Sequence, residues 1–316
     1  MKIVVLEKLA LSEDELRAIA KPITSQGHEM VVYDRDDNVE LQKERVKDAE
    51  ILVIGNMPLK GEVIRAADKL KYLPIAFTGF DHVDLDACKE KGIKVSNASG
   101  YANVNVAELT IGMMLILLRN VISLNTSVRQ GGKAVMGQDL CGKTVGVVGA
   151  GAIGRKVVEL LIAFGCKVIV YDVFENDAVK KMGAVYKPLE DVMKESDIVT
   201  IHTPLMPATK GLISEKMLGL MKPSAFLINC ARGPIVDLAA LAKALQDGKI
   251  AGAGVDVFDM EPPIPTDYHM MKTPNSVLTP HIAFLTKEAM IRRAEITFND
   301  NIASWLKGEL KNKVLG

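Results

Sequence analysis

Three polar residues each follow an apolar run in the second half of this chain. Arg232 lies in INCARGPIVD, Glu261 in GVDVFDMEPP and His281 in VLTPHIAFLT. An imidazole can give or take a proton near neutral pH. A carboxylate beside it fixes its orientation and stabilises the imidazolium. A guanidinium fork can grip a carboxylate and polarise the neighbouring carbonyl. Taken singly, each has a plainer explanation: a surface cation, a turn carboxylate, a hydrogen-bonded core histidine. Together they have the parts of a proton-transfer site.

A second pattern precedes them. In VGVVGAGAIGRKV, residues 145–157, Gly149, Gly151 and Gly154 fall between an apolar run and a helical pattern from Arg155 to Phe164. The spacing G-x-G-x-x-G is weak alone and informative between a strand and a helix. The first glycine permits the tight turn, the second lets backbone approach a pyrophosphate, and the third lets helix and strand pack closely. The helix N-terminus then offers free N–H groups and a positive dipole end to phosphate. The next apolar run, KVIVYD, ends in Asp172, placed to accept hydrogen bonds from the adenosine ribose hydroxyls and to repel a 2′-phosphate. Val173, Phe174 and Glu175 supply no cation to hold one. The combination favours NAD over NADP.

These residues need strands to carry them, and the whole chain supplies the pattern. Short Val- and Ile-rich runs alternate with longer amphipathic ones. In the first third the strand candidates are residues 2–6, 29–34, 51–55, 73–78 and 94–98. In the remainder they are 144–149, 167–172, 198–202, 225–230, 251–258 and 277–281. Unbroken apolar runs separated by helical stretches predict parallel sheets covered on both faces. With 316 residues, the chain has room for about two doubly wound α/β domains. Helical patterns fall at Ser12 to Ile19, where Ser12 and Glu15 have capping-box spacing, and at Glu62 to Lys69. A strongly apolar helix is predicted over 103–118, a loop from Gly131 to Gly142, and a last helix from Thr286 to Lys307.

Composition excludes several classes. The 39 basic and 39 acidic residues balance, so no charge excess points to nucleic acid or an anionic membrane as partner. No apolar run reaches the ~20 residues of a membrane span, and the opening apolar run ends at Leu6, too short for the core of a signal peptide. Cys88, Cys141, Cys166 and Cys230 are scattered without metal-ligand spacing and read as reduced, packed thiols; no metal site is predicted. These features predict a cytoplasmic protein.

The chain resembles the NAD-dependent D-2-hydroxyacid dehydrogenases. The resemblance is carried, in order, by FTGFDHVDLDACKEKGIKV, VAELTIGMML, GKTVGVVGAGAIGRKV, the HTPL at 202–205, NCARGPIVD, GAGVDVFDMEPP and TPHIA. It implies a Rossmann NAD-binding domain over 100–282, inserted into a flavodoxin-like substrate-binding domain of 1–99. It implies that residues 283–316 would form a C-terminal helix returning to the substrate domain, and that the active site would lie in the cleft. It implies Arg232 as binder of the substrate carboxylate and carbonyl, His281 as acid/base and Glu261 as its partner. Backbone N–H groups at Thr78, Gly79 and Phe80 would hold the substrate carboxylate. Ala152, Ile153, Thr203, Cys230, Ala231 and Asp256 would line the NAD site beside the glycines and Asp172, with Asp256 facing the nicotinamide amide. His202 would be structural, and His82 reads as a turn residue. Members are commonly homodimers through the cofactor domain, with helix 103–118 and its following loop near the interface.

The implied reaction is reduction of a small 2-keto acid by NADH to the D-2-hydroxy acid. The branch is mixed. DMEPP resembles the glycerate and phosphoglycerate branch, HIAFLT resembles the lactate and 2-hydroxyisocaproate branch, and Phe80 is bulkier than expected where selectivity is set. Hydroxypyruvate or glyoxylate is the favoured substrate, with a lactate-type keto acid as alternative. The rival from another class is an NAD-sensing binding protein on the same fold.

Overall fold

The computed structural model describes all 316 residues. The chain divides into two compact units, Met1–Ala102 with Thr286–Gly316, and Asn103–Leu285. The boundaries expected from sequence each fall three residues short of these. In the first unit lie β1 (Lys2–Val5), β2 (Glu29–Val32), β3 (Ile51–Val53), β4 (Tyr72–Ile75) and β5 (Lys94–Asn97). The second holds β6 (Thr144–Val148), β7 (Lys167–Tyr171), β8 (Val185–Tyr186), β9 (Ile198–Ile201), β10 (Phe226–Asn229), β11 (Gly252–Val255) and β12 (Ser276–Leu278). The last strand, β13 (Lys313–Leu315), belongs to the first unit.

The first sheet has the order β13-β5-β4-β3-β1-β2, so its parallel strands follow the flavodoxin-like order 2-1-3-4-5. On this sheet β13 adds an antiparallel edge to β5, which the sequence did not announce: it is three residues long and has no readable period. The core on one face packs Ile3, Val5, Leu16, Ile23 and Ile51 against Phe298 and Ile302 of the returning C-terminal segment. Trp305 stacks on Tyr72 at 4.8 Å between ring centroids. Fully burying a side chain such as Phe298 contributes about 1.5–3 kcal/mol, which ties this segment to the first sheet. The expected continuous helix over 286–307 is three pieces: Lys287–Glu295, a π-helical stretch Ile296–Ile302, and Ala303–Trp305. In the same unit, Ser12 and Glu15 form the capping box that their spacing predicts, at the start of helix Glu13–Thr24. Such a cap contributes ~1 kcal/mol.

The second sheet, β12-β11-β10-β9-β6-β7-β8, is parallel throughout. Its order reverses between β6 and β9, the arrangement of a Rossmann sheet. Strands β9, β10 and β11 are buried along their whole length, which is why they read as unbroken apolar runs. Helix Asn103–Leu118 is apolar all round because most of it is buried. No single helix is long and apolar enough to cross a membrane.

Register sets up the functional edge. Val148 pairs with Tyr171 and Ile201, Ile201 with Asn229, Asn229 with Val255, and Val255 with Leu278. The C-terminal ends of six strands are therefore level. Ligands bind beyond such ends, at the point where strand order reverses.

Candidate active site

Gly149 comes immediately after β6 with φ +96°, a conformation that L side chains rarely adopt. A Cβ there would also press on the His202–Thr203 backbone that follows β9, at 2.7–2.9 Å. At Gly154 a Cβ would collide with the Gly149 carbonyl, so the third glycine serves helix–turn packing. Gly151 differs: it is exposed, and a Cβ there would meet open space within 4 Å. No protein group excludes a side chain at Gly151, which fits a glycine kept for the approach of a ligand. Helix Ala152–Ala163 begins here, not at Arg155, with Gly151 as N-cap, no side-chain cap and no acidic residue in its first turn. The expected start was three residues late because the glycine pattern hides the first turn. Its positive end is thus uncompensated by the protein and fits a pyrophosphate.

Asp172, just past β7, accepts the Ala150 N–H at 2.6 Å and the Phe174 N–H at 3.3 Å. Both of its oxygens retain lone pairs for ribose hydroxyls. The Thr203 hydroxyl, beyond β9, is buried without a hydrogen-bond partner. Orphaned buried polar groups are rare, and this one fits contact with a cofactor. Ala152 is exposed and Ile153 half-buried in the first turn of the same helix.

Next to Thr203, His202 is structural in its contacts. Its Nε2 pairs with the buried Thr200 hydroxyl at 2.9 Å, and burial pushes its pKa down from 6.5 to about 3. The unfolded chain therefore binds a proton that the folded chain refuses between these values. The stability contribution is fully present above 6.5 and is lost as pH falls toward 3. We expect His202→Gln to flatten the fall in Tm between about pH 7 and 4. An unchanged acid limb in the thermal-denaturation profile would contradict this assignment.

Arg232 follows β10 by three residues. Its loop is held by the fully buried Asn229, which accepts the Ala231 N–H at 3.0 Å and donates to the Arg232 carbonyl at 3.0 Å. The Arg232 guanidinium donates to the Ala231 carbonyl at 2.9 Å. Gly233 allows the backbone of Phe258 and Asp259 to press directly on this loop, leaving no space for a Cβ. Sequence reasoning missed Asn229 and Gly233. An Asn closing an apolar strand, with a glycine four residues on, was the available signal.

His281 follows β12 by three residues, with φ +55°. A non-glycine residue in this region stores strain and marks functional sites. Its Nδ1 faces Glu261, which follows β11, at 2.9 Å, and Phe284 packs edge-on at 5.0 Å between ring centroids. The imidazole is 11% exposed and the Glu261 side chain 52%, so the carboxylate approaches the ring from the solvent side. With Nδ1 donating to the carboxylate, the His281 tautomer is fixed and Nε2 is left as the working atom.

Asp256 is fully buried. Its carboxylate accepts from Thr279 Oγ1, the Ile282 N–H at 2.8 Å and the Ala283 N–H at 2.9 Å. Its carbonyl accepts the His281 N–H at 2.8 Å. Those bonds hold the strained His281 turn. Cys230 points its thiol at Met113 in the core, 3.8 Å away, and burial pushes its pKa up to about 12. The thiol is neutral, and Ala231 beside it is half-buried.

In the first unit, Thr78, Gly79 and Phe80 lie beyond β4. The Thr78 hydroxyl is buried without a partner, the Thr78 carbonyl accepts from Asn97 Nδ2 at 2.7 Å, and Phe80 is 39% exposed.

Comparison with known proteins decides the family. Residues 111–283 match the NAD binding domain of the D-isomer specific 2-hydroxyacid dehydrogenases. The chain belongs to this family. It is 38% identical to the glycerate dehydrogenase of Methylorubrum extorquens, across 91% of this chain and 92% of that protein. It is equally identical to the D-3-phosphoglycerate dehydrogenase of Methanocaldococcus jannaschii, but spans only about half that protein's length, 52%. Among solved structures, the D-lactate dehydrogenase of Aquifex aeolicus complexed with NAD and lactic acid superposes with a TM-score of 0.88 at 30% identity. That match covers 100% of this chain and 99% of the other. This D-2-hydroxyacid dehydrogenase is thus an NAD-dependent oxidoreductase with its cofactor domain in the second unit.

Proposed function

We propose that the chain reduces hydroxypyruvate or glyoxylate to the corresponding D-2-hydroxy acid. The observation that carries this is the His281–Glu261 pair, at 2.9 Å, on the same level sheet edge as Arg232. Arg232 grips the substrate carboxylate in a paired contact and stabilises the charge that builds on the carbonyl oxygen. His281, protonated, donates to that oxygen from Nε2. Glu261 holds the ring through Nδ1. The Thr78–Phe80 backbone binds the substrate carboxylate. When bound, NADH would supply the hydride to C2 of the keto acid. The glycerate dehydrogenase relative supports the hydroxypyruvate reading. The test is kcat/KM for hydroxypyruvate, glyoxylate, pyruvate and 2-ketoisocaproate with NADH. Hydroxypyruvate or glyoxylate leads if the reading is right; pyruvate or 2-ketoisocaproate leading would move the enzyme to the lactate-type branch.

The preference for NADH over NADPH rests on Asp172. Asp172→Ala weakens NADH binding and narrows the gap between the two cofactors. Equal use of both by the unmutated enzyme would refute this.

The enzyme works as a homodimer. Helix Val121–Val128, following Asn103–Leu118, has no buried residue and exposes Val121, Ile122 and Val128, and Met136 in the next loop is 94% exposed. Such a patch on a charge-balanced chain suits a second copy. Ile122→Asp with Val128→Asp should halve the mass measured by light scattering. A monomeric unmutated protein would contradict this.

A further inference from the structure

The first unit carries an expensive buried carboxylate that the mechanism above does not use. Glu7, two residues past β1, is 8% exposed. Its Oε1 accepts the N–H groups of Gly55 at 2.7 Å and Met57 at 2.9 Å, both in the loop after β3. Gly55 in turn accepts from His82 Nε2 through its carbonyl at 2.9 Å. A carbonyl can only accept, so Nε2 carries the proton. The same two loops are zipped again: the Leu59 N–H donates to the His82 carbonyl at 2.9 Å, and the Asp84 N–H to the Leu59 carbonyl at 3.2 Å.

Burial lowers the Arg293 pKa, while the ring hydroxyl of Tyr101 and the charge of Glu7 oppose that shift. Arg293 is 3% exposed and lies over the Tyr101 ring, 5.9 Å from its centroid. Arg292 Nε holds the Tyr101 carbonyl at 3.2 Å. The loop from Glu7 contains two consecutive left-handed non-glycine residues, Leu9 at φ +55° and Ala10 at φ +54°. Buried charge and backbone strain both cost stability, and they concentrate where function requires a fixed shape. Glu7, Gly55, His82 and Tyr101 follow the C-terminal ends of β1, β3, β4 and β5 respectively, the edge where ligands bind in such sheets.

We propose that Glu7 and His82 are positioning residues for substrate binding: Glu7 fixes Gly55, Gly55 fixes His82, and His82 fixes the adjoining Thr78–Phe80 backbone. The proposal rests on the reading of Thr78–Phe80 as the substrate loop. Neither residue touches the substrate. Their loss acts on keto-acid KM, because uniform binding is lost and proton transfer by His281 is not.

The test uses the full-length enzyme with hydroxypyruvate and glyoxylate as probes. His82→Phe keeps a ring against Phe77 and removes the donor to Gly55; His82→Gln keeps a donor near the Nε2 position. His82→Phe should raise keto-acid KM roughly ten-fold with kcat within about two-fold, and His82→Gln should restore most of it. NADH Kd, read by fluorescence, should be unchanged in both. Glu7→Gln, which keeps an acceptor for Gly55 and Met57, should raise KM less than Glu7→Ala. The surface-accessible His82 pair keeps the test decisive if Glu7→Ala does not fold. A folded His82→Phe enzyme with unchanged KM overturns the proposal. Phe80→Ala separates the two levels: if it alters KM while His82→Phe does not, only the positioning role fails. If neither alters KM, the substrate loop itself is misassigned, and the proposal falls with it.

Discussion

Replacing His281 by Gln should lower kcat for keto-acid reduction by roughly a thousand-fold, equivalent to about 4 kcal/mol of lost transition-state stabilisation. The reason is positional. His281 is held by its N–H to the Asp256 carbonyl, by the Thr279, Ile282 and Ala283 bonds to the Asp256 carboxylate, and by Glu261 at Nδ1. With Nδ1 occupied, only Nε2 is left to deliver the proton. Gln cannot take up and release a proton, so the proton-transfer step loses its acid while the turn keeps its shape. NADH should bind as before, because the glycine turn, the uncapped helix and Asp172 lie at β6 and β7, away from β12 in strand order. Pre-steady-state absorbance and NADH fluorescence titration give the two numbers. A His281→Gln enzyme with ordinary turnover would remove the residue from the chemistry.

The second large effect is at Arg232. Arg232→Lys preserves the charge and loses the planar fork, so kcat/KM for the keto acid should fall about a hundred- to a thousand-fold. The loop itself is held by Asn229 rather than by the guanidinium alone, so the backbone should stay in place. NADH Kd should change little. Steady-state kinetics with hydroxypyruvate check it. Near-normal kcat/KM in the lysine variant would mean that a point charge suffices, and the paired contact would be wrong.

Much of this is legible in the sequence. The strand–glycine–helix pattern at 144–157 could be read because each glycine answers a separate local requirement, and those requirements act over a few residues. Arg232, Glu261 and His281 could be read because they follow apolar runs that become adjacent parallel strands in register. What stayed hidden depends on contacts distant in sequence. The Asp256 carboxylate is consumed by Thr279, Ile282 and Ala283, and only tertiary structure brings them together. Asn229 reads as the end of a strand until its two bonds to the Arg232 loop are seen. Glu7 comes just after the opening strand, whose apolar residues gave no hint of its partners near residue 55. His82, read as a turn residue, links that carboxylate to the loop after β4 through Gly55. The strand β13 is too short to show a period.

The central claim is NADH-dependent reduction of a small 2-keto acid to the D product, and product analysis tests it most directly. The purified enzyme is incubated with limiting NADH and excess hydroxypyruvate, and the glycerate formed is resolved by chiral chromatography. One D-glycerate should form for each NADH oxidised. Bound NADH that no 2-keto acid oxidises, or glycerate of the L configuration, would contradict it.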